Sequence, residues 1–467
     1  MSALATAIRA AAGASPQALA LVQGERRWNY AELVVCAEAA AATLASRGAR
    51  SDNTIALVST EAPALAAFAY GCAFLGATFV PLNAAMPAAR RDALIAQSGA
   101  RLLFGEGLLN PAPVLAAFAE GLRPRPAASP ETAIELIIAT SGSTGGPKGV
   151  MLTAANLAAA ARASTARVPL GLGDIWLACL PLYHIGGLSI LYRCAHGSAA
   201  ALLHDGFDAA RVAADLSRRR VTHLSLVPPM LARLLDAGVA PPPRLRCVLL
   251  GGGEFSAPLM RRARDAGWPV MPTYGLSETC AQAATLTDPG DDWTPGDTGR
   301  PLPGVQIEIV NADADGVGRI RVRGATVMAG YANPRHERGT GLTNGAFVTA
   351  DIGRIAPRGH LVVLGRADDV LVSGGVNVHP SEVEGLLAEC PGVAAVGVTG
   401  RRDGVWGDLL VAVYEGAAAA TDVEAWCRAR VPGHLRPRAF LHVDALPRAG
   451  LAKLDRAALR RLAQVAG

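Results

Sequence analysis

The chain has 467 residues, of which 51% are hydrophobic and 18% charged, with 44 Lys+Arg against 39 Asp+Glu. That length calls for roughly two or three domains, and the hydrophobic content excludes a disordered chain. A formal charge of +5 over the whole length is too thin for a nucleic-acid-binding face. Residues 1–12 read as an Ala-rich helix without the compact apolar run of a secretory signal. A helix is predicted over Ala31–Ala45 and a strand over Thr54–Val58. Residues 62–89 carry no charge and are long enough to span a bilayer. Pro63, Gly71, Gly76, Pro81 and Pro87 interrupt them, so they read as a buried helix stopped by Gly76 and a strand over Ala77–Val80, with no membrane span. Strands at Ile134–Ala139, Ile175–Cys179, His223–Val227 and Cys247–Leu250 then alternate with helices at Ala155–Ala163 and Ala209–Arg219. Such alternation is the pattern of parallel α/β layers. From Gly299 to Val363 the strands crowd together (Val305–Val310, Gly318–Val322, Phe347–Thr349, Leu361–Leu364), which predicts a small β-rich subdomain. After Gly365 a mixed segment follows, with helices near Ser381–Leu387 and Asp422–Arg430. The expected fold is α/β: a large N-terminal domain over residues 1–365, built of layered α/β subdomains plus the small β-rich one, then a small mobile α+β domain over residues 366–467. The eight cysteines form no CxxC pair and read as buried hydrophobes of a reducing, cytoplasmic compartment.

Two local features carry chemistry. Of the 44 basic residues only Lys148 and Lys453 are lysine. Where arginine is used almost everywhere, a retained lysine marks chemistry a guanidinium cannot do. Lys148 closes the run Thr140-Ser141-Gly142-Ser143-Thr144-Gly145-Gly146-Pro147-Lys148, directly after a buried strand. Glycines let backbone N–H groups turn toward an anion, hydroxyls add donors and the lysine adds charge, so the loop suits phosphates. It is not a Walker A loop, because Pro147 stands where glycine is needed and Gly149 follows the lysine.

The loop resembles the phosphate-binding signature of the acyl-adenylate-forming enzymes: acyl- and aryl-CoA ligases, nonribosomal adenylation domains and luciferases. Further motifs follow in that family's order: Tyr274-Gly275-Leu276-Ser277-Glu278-Thr279, Gly296-Asp297-Thr298-Gly299, Thr349-Ala350-Asp351-Ile352-Gly353-Arg354, Gly365-Arg366-Ala367-Asp368-Asp369, Ser373-Gly374-Gly375, and Leu446-Pro447-Arg448 before Lys453. The resemblance implies ATP and Mg2+ as cofactors and coenzyme A as the thiol. It implies two steps, attack of a carboxylate on the α-phosphate of ATP and displacement of AMP by the thiol. Loop residues 140–148 would cradle the phosphates, and Glu278 would hold the metal next to Ser277. Asp351 would bind the ribose hydroxyls with Arg366 nearby. Gly252 and Gly253 would wall the adenine, with Tyr274 and the following Gly275 on its other side. Lys453 would be a catalytic lysine brought in by the mobile domain, Asp368 its hinge, and Ser373, Gly374 and Gly375 the segment that meets the thiol. A solvated or ion-paired carboxylate is the competing reading of Glu278 and of Asp351. Ala350, Ala452 and Val376 depart from the family's usual residues, two glycines and a glutamate.

Leu180–Arg193 and Val227-Pro228-Pro229-Met230-Leu231 further resemble the o-succinylbenzoate–CoA ligases of menaquinone synthesis. His184 would then stand, as a catalytic and substrate-contacting residue, at the mouth of the acyl tunnel. Arg193 would meet a second substrate carboxylate; a structural histidine and a helix-surface arginine are the competing readings. The expected activity is an AMP-forming acid–CoA ligase acting on o-succinylbenzoate or a related aryl acid. The alternative is a stand-alone adenylation enzyme loading an acyl carrier protein. The expected partners are small molecules, with no nucleic acid and with a homodimer as the assembly to test.

Overall fold

The computed structural model describes residues 2–121, 134–141, 146–253, 255–449 and 453–465, and for Ser141, Ala449, Lys453 and Val465 the backbone only. Two large sheets organise the N-terminal region. In the nine-stranded sheet, Ile175–Ala178, His223–Leu226, Cys247–Leu250 and Val270–Tyr274 run parallel side by side. In the six-stranded sheet, Thr54–Val58, Thr78–Leu82 and Ile134–Ser141 are parallel. The chain then doubles back antiparallel through Pro147–Thr153, with the short strand Gly330–Tyr331 on its outer edge.

Side chains alternate across these strands with the two-residue period of a pleated sheet. Ile55 and Leu57 join the core between the sheets, whereas Ala56 joins the cluster on the opposite face. Trp176 and Ala178 likewise face inward while Leu177 faces the outer layer. Strands buried on both faces read as continuous apolar runs, which is why they were legible in the sequence. The inner core also takes buried residues from the helices Ala3–Ala14, Tyr30–Ser46, Ala62–Leu75, Ala154–Arg167 and Ile185–Gly197. The charge-free stretch lies here: nearly every residue of Ala62–Leu75 is buried, Gly76 ends the helix at φ 81°, and Thr78–Leu82 is the strand. A helix that is hydrophobic all round belongs inside a large core. No helix among the described residues is long and apolar enough to cross a membrane.

The β-rich part is a four-stranded antiparallel sheet of Val305–Val310, Gly318–Gly324, Phe347–Ile355 and Leu361–Arg366. Its third strand runs well past the predicted Thr349, because Asp351, Gly353 and Arg354 break the apolar pattern without breaking the ladder. One turn, Ala367–Asp369, leads to a separate C-terminal sheet that starts at Leu371. That sheet is dominated by the long hairpin Val393–Asp403/Gly407–Gly416 and backed by the helices Pro380–Leu387 and Ala420–Arg430. All eight cysteines are buried and free.

Candidate active site

Three groups of predicted site residues follow the ends of parallel strands. Strand Ile175–Ala178 leads to His184, Cys247–Leu250 to Gly251-Gly252-Gly253, and Val270–Tyr274 to the 3-10 turn Ser277–Thr279. The crevice beyond the carboxyl ends of parallel strands is the usual ligand site of open α/β sheets. Close packing fixes the last of these turns. A Cβ on Gly275 would lie 1.8 Å from the Ala281 carbonyl oxygen, so only glycine fits there. Gly252 has φ +75°, a left-handed backbone, and the neighbouring Gly251 packs against Thr273 of the adjoining strand.

Glu278, the middle residue of the turn, is buried, and its Oε1 accepts a hydrogen bond from the Tyr331 hydroxyl at 2.9 Å. Burial raises its pKa above the usual carboxylate value; the Tyr331 bond and the Lys148 charge pull it back down, and the Asp351 charge pushes it up. Ser277 opens the turn and is half-buried. Asp351 is also buried. Its Oδ2 accepts from the Tyr274 hydroxyl at 2.7 Å, and Arg366, its register partner on the neighbouring strand, comes within 3.7 Å of Oδ1. An ionised carboxylate has about four lone-pair sites, so one phenol and one distant guanidinium leave room for two ligand hydroxyls. Arg366 also bonds Asp368 at 3.4 Å. The tie from Tyr274 to Asp351 was not foreseen, and it fixes the carboxylate from beneath.

The glycine-rich run joins two antiparallel strands. Thr140 is paired with Lys148, and its hydroxyl bonds the Lys148 carbonyl at 3.3 Å. Gly142, Ser143, Thr144 and Gly145 lie outside the described residues, as does the side chain of Ser141. The Lys148 ammonium sits 4.9 Å from the centre of the Tyr331 ring, a cation–π arrangement.

His184 caps the helix Ile185–Gly197, with Tyr183 edge-on at 4.8 Å. Arg193, on the same helix, is no surface arginine. It is 4% exposed, lies 5.2 Å from the Trp176 ring centre, and burial pulls its pKa from 12.5 to about 10. Among the described residues no carboxylate comes within ion-pair distance of it.

The residues expected to serve as hinge and thiol-binding segment lie in the connecting turn and on the C-terminal sheet. Asp368 is in the connecting turn. Ser373 ends one strand, and Gly374 and Gly375 form the tight turn of the next hairpin at φ 58° and 79°, with the Gly374 N–H on the Trp406 carbonyl. Lys453 pairs by its backbone with Ala449; its side chain lies outside the described residues.

The residues fit the implied metal. Glu278 is a buried carboxylate with no ion-pairing side chain among the described residues. No cluster of three or more His, Cys, Asp or Glu able to hold a metal occurs among them. A single carboxylate suits Mg2+, which keeps waters and takes its other ligands from phosphates. Sequence reasoning missed Tyr331 and Glu135. Tyr331 is a lone aromatic on a two-residue edge strand and leaves no periodic signal. Glu135 is a single charge inside an apolar strand, which is itself a usable signal.

Comparison with known proteins sets these residues in context. A model of the AMP-binding enzyme family matches residues 8–332, and one of the AMP-binding enzyme C-terminal domain matches residues 382–453. The 2-succinylbenzoate–CoA ligase of Bacillus licheniformis is 35% identical over 95% of this chain and 96% of its own. The o-succinylbenzoate CoA synthetase of Bacillus subtilis has been solved in several forms. Its complex with the acyl-adenylate intermediate superposes at TM-score 0.87, with 31% identity and 97% of each chain covered. Its complex with ATP and magnesium ion gives 0.86 at 30% identity, covering 97% of this chain and 98% of that one. A double mutant bound with a product analogue gives 0.73 at 31% identity with the same coverage as the ATP complex.

Proposed function

The chain belongs to the AMP-binding enzyme family, and we propose that within it the protein is an ATP-dependent acid–CoA ligase whose acid is o-succinylbenzoate. A substrate carboxylate oxygen attacks the α-phosphorus of ATP, the bond to the β-phosphate oxygen breaks, and pyrophosphate leaves. The CoA sulfur then attacks the acyl carbon of the adenylate, and AMP leaves with the carboxylate oxygen it gained. A relative named as a CoA ligase and matched over 96% of its length favours CoA over a carrier protein as the acceptor, and the use of ATP and CoA supports a cytoplasmic setting.

The observation that carries this reading is the approach of Glu278, Lys148 and Asp351 to one another at the carboxyl ends of the parallel strands. Lys148 and the hairpin backbone bind the β- and γ-phosphates. Asp351, held by Tyr274, takes the ribose hydroxyls, and Gly252 and Gly253 give the adenine a flat wall. Glu278 would hold Mg2+, which when bound neutralises charge on the phosphates. Lys453 supplies a compact ammonium between the substrate carboxylate and the α-phosphate as charge moves from one to the other.

The acid's second carboxylate is assigned to Arg193. A fully buried guanidinium without a carboxylate partner is costly, and a dicarboxylic substrate supplies the missing charge. His184 stands at the start of the same helix. The C-terminal domain turns between the half-reactions. One relative's adenylate-bound and product-analogue-bound forms match this chain to different degrees, TM-scores 0.87 and 0.73, which supports two domain arrangements with this chain nearer the first. A pyrophosphate-release screen over carboxylic acids tests the proposal. Turnover with o-succinylbenzoate supports it, and turnover confined to benzoate-type monocarboxylates sinks the substrate assignment.

A further inference from the structure

Tyr331 links two motifs that lie far apart in the sequence. Its hydroxyl donates to Glu278 Oε1 at 2.9 Å, and its ring faces the Lys148 ammonium at 4.9 Å. The backbone around it is stitched to both motifs: the Met328 N–H bonds the Glu278 carbonyl at 2.9 Å, and the Ala332 N–H bonds the Gly149 carbonyl at 2.7 Å. Tyr331 itself pairs with Val150 of the phosphate-loop hairpin. Its ring has one fixed seat. A Cβ on Gly341 would come 2.4 Å from two ring carbons, and the Tyr331 N–H is held by the Thr340 carbonyl at 2.9 Å. Burial and the Glu278 charge raise the phenol's pKa, so it remains a donor at neutral pH.

We propose that Tyr331 is a positioning residue that aims the Glu278 carboxylate at the metal–nucleotide, with Lys148 parked beside it on the same ring. Carboxylates that ligate metals are themselves oriented by hydrogen-bond donors behind them, and losing such a donor weakens metal binding by about 10–100-fold. The carboxylate and the ammonium both meet the Tyr331 side chain, so one residue sets the spacing of both charges. The inference rests on the ATP-binding reading above but not on the identity of the acid.

The test is equilibrium binding of ATP by calorimetry, without acid or CoA, across a Mg2+ titration. In Tyr331→Phe the Mg2+ concentration for half-maximal ATP binding should rise about tenfold, while metal-free ATP affinity stays within about twofold. Gly341→Ala, which pushes the intact ring from its seat, should reproduce the shift. Gly339→Ala has similar backbone strain (φ +89°) but meets nothing within 4 Å, and should not. A purely structural role would lower the melting temperature of all three without moving the Mg2+ midpoint selectively. A Tyr331→Phe midpoint within about twofold of wild type overturns the assignment. A wild-type protein that binds no ATP at any Mg2+ concentration overturns the nucleotide reading beneath it.

Discussion

Replacing Arg193 by methionine should move stability and activity in opposite directions. Methionine keeps an unbranched apolar stem, shorter than arginine, and removes the charge. In the fold the guanidinium is 4% exposed, and burial takes its pKa from 12.5 to about 10. A fall of that size sets about 3 kcal/mol against the charged form. The contact with Trp176 offsets about 1–2 kcal/mol of this. Arg193→Met removes both, so the empty enzyme should be as stable as wild type or about 1–2 kcal/mol more stable, read from urea midpoints at constant slope. The sign follows from linkage. The folded pKa lies below the unfolded one, so the penalty is complete below about pH 10 and is relieved only as pH rises from there toward 12.5. The gain should therefore be flat across the neutral range. Activity should fall, because a charged hydrogen bond to the substrate is worth about 1.5–3 kcal/mol. That is about 10–150-fold in kcat/KM for o-succinylbenzoate, with little change for benzoate-type monocarboxylates. A variant that loses more than about 1 kcal/mol of stability, or loses the same factor on both kinds of acid, would refute the reasoning.

Lys453→Ala should cut adenylate formation by at least about 100-fold yet leave thioester formation from a preformed acyl-adenylate nearly intact; equal loss in both half-reactions would remove the assigned role. The Glu278 carboxylate must be ionised to face a cation, and burial raises its pKa. Activity should accordingly fall as pH drops through a limb above the ordinary carboxylate range, and Glu278→Gln should abolish that limb; an unchanged acid limb in the variant would contradict it. Glu135 is buried and accepts from the Ala3 N–H at 2.6 Å, the Leu4 N–H at 3.2 Å and the Tyr192 hydroxyl at 2.9 Å. Glu135→Gln should turn an amide donor against these donors and cost about 1–3 kcal/mol in chemical denaturation, with kcat/KM per folded molecule unchanged.

The strands buried on both faces were legible because they are short apolar runs, and Thr54–Val58 and Cys247–Leu250 appear with the predicted bounds. The long C-terminal hairpin was not, because Val393–Asp403 mixes Gly, Arg and Asp into an alternation that no apolar count reveals. The candidate site residues were assigned through motif order. What motif order could not give was their support. Tyr274 beneath Asp351 and Tyr331 behind Glu278 are contacts between residues 77 and 53 positions apart, which only the folded chain brings together. Arg193 shows the opposite limit. Among 42 arginines its sequence context was unremarkable, and burial alone sets it apart.

The central claim is that the acid is activated as an acyl-adenylate before the thiol attacks. It is tested most directly with o-succinylbenzoate carrying heavy oxygen in its carboxylates, incubated with ATP, Mg2+, CoA and the enzyme, and read by mass spectrometry of the nucleotide products. Attack at the α-phosphorus followed by thiol displacement predicts AMP with a single heavy oxygen and unlabelled pyrophosphate. Formation of ADP with labelled phosphate, or of unlabelled AMP alongside the thioester, would contradict it.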